Sequence, residues 1–150
     1  MVAVIQRVSE ASVKIDGVIS GAIDQGFVIL LGICNEDSHE DIEWLSKKIC
    51  GLRIFSDSEG KMNLNISQID GDILLISQFT LLASTKKGNR PSFIQAARPE
   101  VAIPLYQKAI QRFSQDLGKN IQTGEFGTDM KVSLCNDGPV TIVIDTKDKK

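Results

Sequence analysis

Val2-Ala3-Val4-Ile5-Gln6-Arg7-Val8, Ala11-Ser12-Val13-Lys14-Ile15, Val18 to Ile23 and Phe27 to Cys34 are the segments whose reading decides the fold. The first is strand-like, and the second alternates apolar with polar residues. Asp16-Gly17 between the second and third is a hairpin turn signal, and Asp24-Gln25-Gly26 turns the chain again. Phe27 to Cys34 is an unbroken apolar run, the mark of a strand buried on both faces. The chain therefore opens as a β-meander ending in a central strand.

Beyond the meander a helix is expected. Asp37 or Ser38 can cap it, Glu40, Asp41 and Glu43 suit its positive end, and Ile42, Leu45, Ile49 and Leu52 fall on one face. Ser56 to Lys61 is a turn cluster, and Asp72 to Phe79 is a strand. Ala83 to Pro91 is a polar, basic loop. A second helix runs from Pro99 or Glu100 to Leu117, with Val101, Leu105, Ala109, Phe113 and Leu117 as its apolar stripe. Pro104 suits only a first turn and argues for a later start, and Gly118 ends the helix. Ile121–Phe126, Met130–Cys135 and Val140–Asp145 are expected as three closing strands. Without a linker or a change of composition, residues 1–150 form one α+β domain: a mainly antiparallel curled sheet, β-barrel-like, with two main helices packed on one side.

The 150 residues are 42% hydrophobic and carry a net charge of −2. That charge excludes indiscriminate coating of nucleic acid, so any RNA partner must meet a local basic patch. No basic stretch followed by a long apolar run opens the chain, and Phe27–Ile33 is too short to span a bilayer. Cys34, Cys50 and Cys135, without Cys-x-x-Cys spacing, are expected as reduced thiols packed in a core, which suits a cytoplasmic protein.

Two segments break the strand pattern. Ser77-Gln78-Phe79-Thr80 follows the apolar Ile73–Ile76, and Asn136-Asp137-Gly138-Pro139-Val140-Thr141 interrupts two apolar runs. Buried polar groups need partners, so such clusters are either strand edges and turns that satisfy nearby backbone, or a pocket built of hydroxyls and main chain. Lys86, Lys87 and Arg90 form the one compact basic cluster in a loop, just beyond the first segment. They are either solvated or placed to hold phosphates. The single His39 sits in a charged stretch with nothing to place it beside a nucleophile. Gly60-Lys61 lacks the first glycine and the Ser/Thr of a phosphate loop. Neither a metal site nor a cofactor is expected.

Together the segments resemble the D-aminoacyl-tRNA deacylase family. The resemblance runs through Ile5-Gln6-Arg7-Val8, Arg53-Ile54-Phe55-Ser56-Asp57, Gly60-Lys61-Met62-Asn63, Ser77-Gln78-Phe79-Thr80-Leu81, Arg90-Pro91-Ser92-Phe93, Gln122-Thr123-Gly124 and Asn136–Thr141. It implies a homodimer whose active sites are shared between chains. Ser77, Gln78, Phe79 and Thr80 would come from one subunit, and a cis Gly138-Pro139 loop with Asn136 from the other. Arg7 would help hold that loop, Phe126 and Met130 would line the pocket for the terminal adenosine of tRNA, and Lys86, Lys87 and Arg90 would meet phosphates. The implied activity is hydrolysis of the D-aminoacyl ester, with glycyl-tRNA also cleaved. The rivals are a nucleic-acid-binding dimer without turnover and a generic small-ester hydrolase.

Overall fold

A computed structural model describes residues 1–150. In chain order its elements are β1 (Val2–Ile15), β2 (Val18–Ile23), β3 (Gly26–Gly32), α1 (His39–Cys50), β4 (Phe55–Ser56), β5 (Met62–Leu64), β6 (Asp72–Ser77), α2 (Pro99–Leu117), β7 (Gln122–Thr123) and β8 (Lys131–Asp145). Strand β1 organises the sheet. Its second half pairs antiparallel with β2, its first half with β3, and almost its whole length with β8. The Asp16-Gly17 hairpin is present, both residues taking the positive φ that such tight turns require (49° and 78°). β6 lies parallel to β3, and β7 parallel to β6. The sheet curls until β2 meets β7, where the Ser20 hydroxyl donates to the Thr123 carbonyl at 3.2 Å.

Alternation along the strands builds two cores. Ala3, Ile5, Phe27, Ile29, Leu31, Ile73 and Leu75 face α1 and α2, meeting Ile42, Leu45, Ile49, Ala109 and Phe113. Val8, Val13, Val28, Leu74 and Ile76 face the inside of the curl. Both faces of β3 and β6 are covered, which is why these strands are continuously apolar. Ser38 caps helix α1, its backbone N–H donating to the Asp41 carboxylate at 2.9 Å. Asp37 is not the cap; it accepts from the Met1 ammonium (2.6 Å) and the Cys34 N–H (2.7 Å).

The sheet is mainly antiparallel, as expected: every pairing of β1 is antiparallel, and only the β3–β6 and β6–β7 pairs are parallel, because β6 and β7 are each reached by a crossover containing a helix. Other expectations are corrected. Helix α2 does start at Pro99, with Pro104 inside it. The carbonyl that residue 104 leaves unpaired belongs to Glu100, an exposed residue. The buried face of α2 is Ala102, Tyr106, Ala109, Phe113 and Leu117, while Val101 is exposed. The last two expected strands are one: β8 runs unbroken from Lys131 to Asp145, and the expected strand at Ile121–Phe126 shrinks to Gln122–Thr123. Of the cysteines only Cys50 is buried; Cys34 is half-buried and Cys135 exposed.

Candidate active site

The parallel register sets Ser77, the last residue of β6, beside Leu31. The Gln78 N–H still donates to the Leu31 carbonyl (2.8 Å), after which the chain leaves the sheet in a single 3-10 turn, Phe79–Leu82. The first bond of that turn joins the Leu81 N–H to the Gln78 carbonyl (3.3 Å). The amides of Phe79 and Thr80 precede it and find no acceptor within the turn, as at any helical N-terminus. The Gln78 side-chain amide donates to the Thr80 hydroxyl. The Phe79 ring is largely exposed and meets Phe93 edge-on, with centroids 5.0 Å apart.

A cavity of about 240 Å³ opens at this end of the sheet. Ser77, Gln78 and Phe79 form one wall, Phe126, Met130 and Val132 another, and Leu31 and Ala102 are among its apolar lining. The slot is mostly apolar, with Ser77, Gln78 and Thr128 as its few polar side chains, an arrangement suited to a flat ring beside a reacting polar group. The Phe126 ring is held in turn by Tyr106 (centroids 5.9 Å), whose hydroxyl donates to the Leu75 carbonyl at 2.8 Å. Burial pushes the Tyr106 phenol up to about 12, so it stays a donor.

The second motif lies elsewhere in the chain. Asn136–Thr141 is a bulge within β8, where the register against β1 shifts between Gln6 and Val8. The Gly138-Pro139 peptide is cis. Asn136 clamps the bulge: its Oδ1 accepts from the Val140 N–H and its Nδ2 donates to the Thr141 hydroxyl, each at 2.8 Å. Arg7, from β1, donates to the Asp137 carbonyl (2.8 Å) and to the Ile54 carbonyl (2.6 Å). Gly138 has φ +139°, and a Cβ there would meet Val140 Cγ2 at 2.7 Å and Arg7 Nη2 at 3.0 Å. Gly138 and Pro139 are nonetheless exposed to solvent.

The sequence-predicted residues thus fall into three places. Ser77, Gln78, Phe79, Phe126 and Met130 share the cavity wall, and Thr80 stands one residue beyond, tied through Gln78. Arg7, Asn136, Gly138 and Pro139 form the bulge, which does not line that cavity. Lys86, Lys87 and Arg90 are exposed in an excursion closed by mutual backbone bonds of Ser84 and Ser92 (2.7 and 3.0 Å). Sequence reasoning missed the Phe93 contact with Phe79 and the Ile54 carbonyl under Arg7. Both are pairings between distant segments that leave no local signal. No helix is long and apolar enough to cross a membrane, and no cluster of His, Cys, Asp and Glu suits a metal ion.

Comparison with known proteins places this arrangement. D-aminoacyl-tRNA deacylases from Christiangramia forsetii and Bacteroides fragilis are 59% and 63% identical to the chain, covering 100% and 98% of both partners respectively. A solved structure described as c-Myc DNA unwinding element binding protein superposes with a TM-score of 0.89 at 39% identity, covering 97% of this chain and 98% of its own. A second, a probable eukaryotic D-amino acid tRNA deacylase, superposes at 0.80 with 16% identity over 95% of this chain and 97% of its own, and shares the fold. The chain therefore sits in a class of hydrolases. The profile described as D-Tyr-tRNA(Tyr) deacylase matches residues 4–145, and the chain belongs to that family.

Proposed function

We propose that this protein hydrolyses the ester between a D-amino acid and the terminal adenosine of tRNA, as a homodimer in the cytoplasm with each active site shared by two chains. The observation that carries the reading is the separation of the two motifs. Ser77, Gln78 and Phe79 line the cavity, and neither Gly138 nor Pro139 is among its lining residues. Arg7 and Asn136 hold the bulge at its own place on β8. A second chain docked on the free edge of β8 can supply the wall that the chain's own bulge does not. That edge has no strand partner, and it carries exposed Val132, Leu134 and Val143.

In the reading favoured here, the carbonyls of the partner's bulge accept from the substrate ammonium, and proline brings no N–H to compete. With ammonium and ester both fixed, a D side chain points to solvent and an L side chain strikes the bulge backbone. Selection is therefore steric and tolerant of side-chain identity. Glycine lacks the colliding Cβ, so glycyl-tRNA is also cleaved. The Phe79 and Thr80 amides stabilise the developing oxyanion. The Thr80 hydroxyl receives its hydrogen bond from an amide, which cannot take up a proton. Attack assisted by the ribose 2′-hydroxyl fits this better than attack by Thr80. Ser77 and Gln78 orient ester or water, the adenine lies between Phe126 and Met130, and Lys86, Lys87 and Arg90 meet phosphates of the acceptor end.

Release of tyrosine from D-tyrosyl- and L-tyrosyl-tRNA tests the reading. Cleavage of the D form alone is expected. Cleavage of both, or of free esters, points to a generic esterase. Binding without turnover supports a nucleic-acid-binding module, the alternative that the name of the 39% identical relative favours.

A further inference from the structure

Gly124, between β7 and the Phe126 loop, has no conformational reason to be glycine: its φ is ordinary, so any L residue fits its backbone. Its reason is spatial. A Cβ built there lands on the sulfur of Met130, far inside van der Waals contact, while its other neighbours, Val13 Cγ2 at 3.7 Å and Met130 Cε at 3.8 Å, lie at ordinary distances. The missing side chain is thus a notch occupied by the Met130 thioether and by nothing else. Met130 also lines the cavity, together with Ser77 and Gln78.

We infer that Gly124 is a positioning residue that acts through Met130, by parking the thioether in the notch and so keeping open the part of the cavity that receives the terminal base. This rests on the proposed assignment of Phe126 and Met130 to the adenosine. The physical argument is one of available space. The sulfur is near the end of a flexible side chain, so a methyl group at 124 is met by rotation of Met130 and not by movement of backbone. Around the notch, Val13 and its neighbours form a filled core. Met130 already lines the cavity, about 240 Å³ in all, which a displaced thioether partly fills. A single methylene more or less in an apolar pocket changes discrimination roughly 10- to 200-fold, so an intruding thioether is a large perturbation for a small change in sequence.

The test is a double-substitution cycle on the full-length protein. It uses Gly124→Ala, Met130→Ala and the pair, read by KM and kcat on D-tyrosyl-tRNA and by the Ki of 3′-(D-tyrosylamino)-3′-deoxyadenosine. Gly124→Ala is expected to raise KM and Ki together by about tenfold or more, with kcat little changed and the thermal midpoint retained. In the Met130→Ala background the same substitution is expected to change neither constant, because no thioether remains to be displaced. An unchanged Ki for Gly124→Ala overturns the inference, as does an equal rise in both backgrounds. If the analogue does not compete at all with the unsubstituted protein, the adenosine assignment fails first and the inference falls with it.

Discussion

If each active site joins the turn of one chain to the bulge of another, two dead variants should restore each other. Phe79→Pro removes one of the two free amides at the start of the 3-10 turn, at a first helical position where proline fits without breaking a backbone bond. Loss of one oxyanion donor costs about 10²- to 10³-fold in kcat. Gly138→Ala acts at the other motif. Its φ of +139° strains any L residue, and its Cβ would press on Val140 Cγ2 (2.7 Å), Val140 N and Arg7 Nη2 (both 3.0 Å). Each homodimer is therefore nearly inactive. In a heterodimer, one site receives both lesions and the other receives neither. Random 1:1 pairing makes half of all dimers heterodimers, so about a quarter of the wild-type sites reappear. The assay is release of D-tyrosine from D-tyrosyl-tRNA by co-expressed, differently tagged variants, with heterodimers isolated through both tags. Isolated heterodimers should then show about half of wild-type activity per dimer. Purified heterodimers no more active than the two homodimers, with thermal midpoints intact, would refute a site shared between chains.

Thr80→Ala is expected to retain most of its activity, whereas D-tyrosyl-tRNA ending in 2′-deoxyadenosine should be cleaved poorly; single-turnover kinetics on the two would return Thr80 to the role of nucleophile if the pattern were reversed. Tyr106→Phe deprives the Leu75 carbonyl of its 2.8 Å donor inside the core and should lower stability by about 1–2 kcal/mol, visible as a lower urea midpoint with an unchanged slope. Acid should destabilise the fold through Asp41 and Asp116. Burial raises both carboxyl pKa values, but hydrogen bonds outweigh it, from Lys147, Thr146 and Ser38 to Asp41 and from Arg112 and Ser46 to Asp116, leaving both below the ordinary range. Depressed folded-state values mean that this stability is fully present above the unfolded pKa of about 3.9 and is lost as pH falls below it. Asp41→Asn should therefore flatten the acid limb of a stability–pH curve and leave the neutral-to-alkaline part parallel to wild type.

Much of the fold is legible because burial dictates residue type. Phe27–Leu31 and Ile73–Ile76 are apolar on both faces, and the structure covers both faces. The stripe on α2 is instructive where it fails. Val101, Leu105, Ala109, Phe113 and Leu117 are spaced by four throughout, and an α-helix turns about 400° in four residues, so such a ladder drifts by about 160° over its length. The structure corrects the drift with one step of three, Tyr106 to Ala109, and so begins the buried face at Ala102. The parallel strands were not legible, since strand direction depends on where the intervening helices pack and not on the strand's own residues.

The bulge of β8 is the feature that local reasoning was least able to resolve, and the reason bears on function. Asn-Asp-Gly-Pro has the composition of a turn, yet the chain does not reverse there, because β1 supplies a partner on both sides of it: Gln6 opposite Thr141 and Val8 opposite Asn136. What the sequence marks is a departure from strand geometry within a strand. Such departures protect a free edge from indiscriminate pairing, and β8 is a long edge with exposed apolar side chains. Arg7 and Asn136 hold the bulge from its own chain, although its exposed Gly138 and Pro139 do not line the cavity of that chain. Rigid support on one side and solvent on the other are the conditions for a recognition element presented to a second molecule. On the proposed reading, that molecule is another copy, whose Phe79 turn lacks this wall.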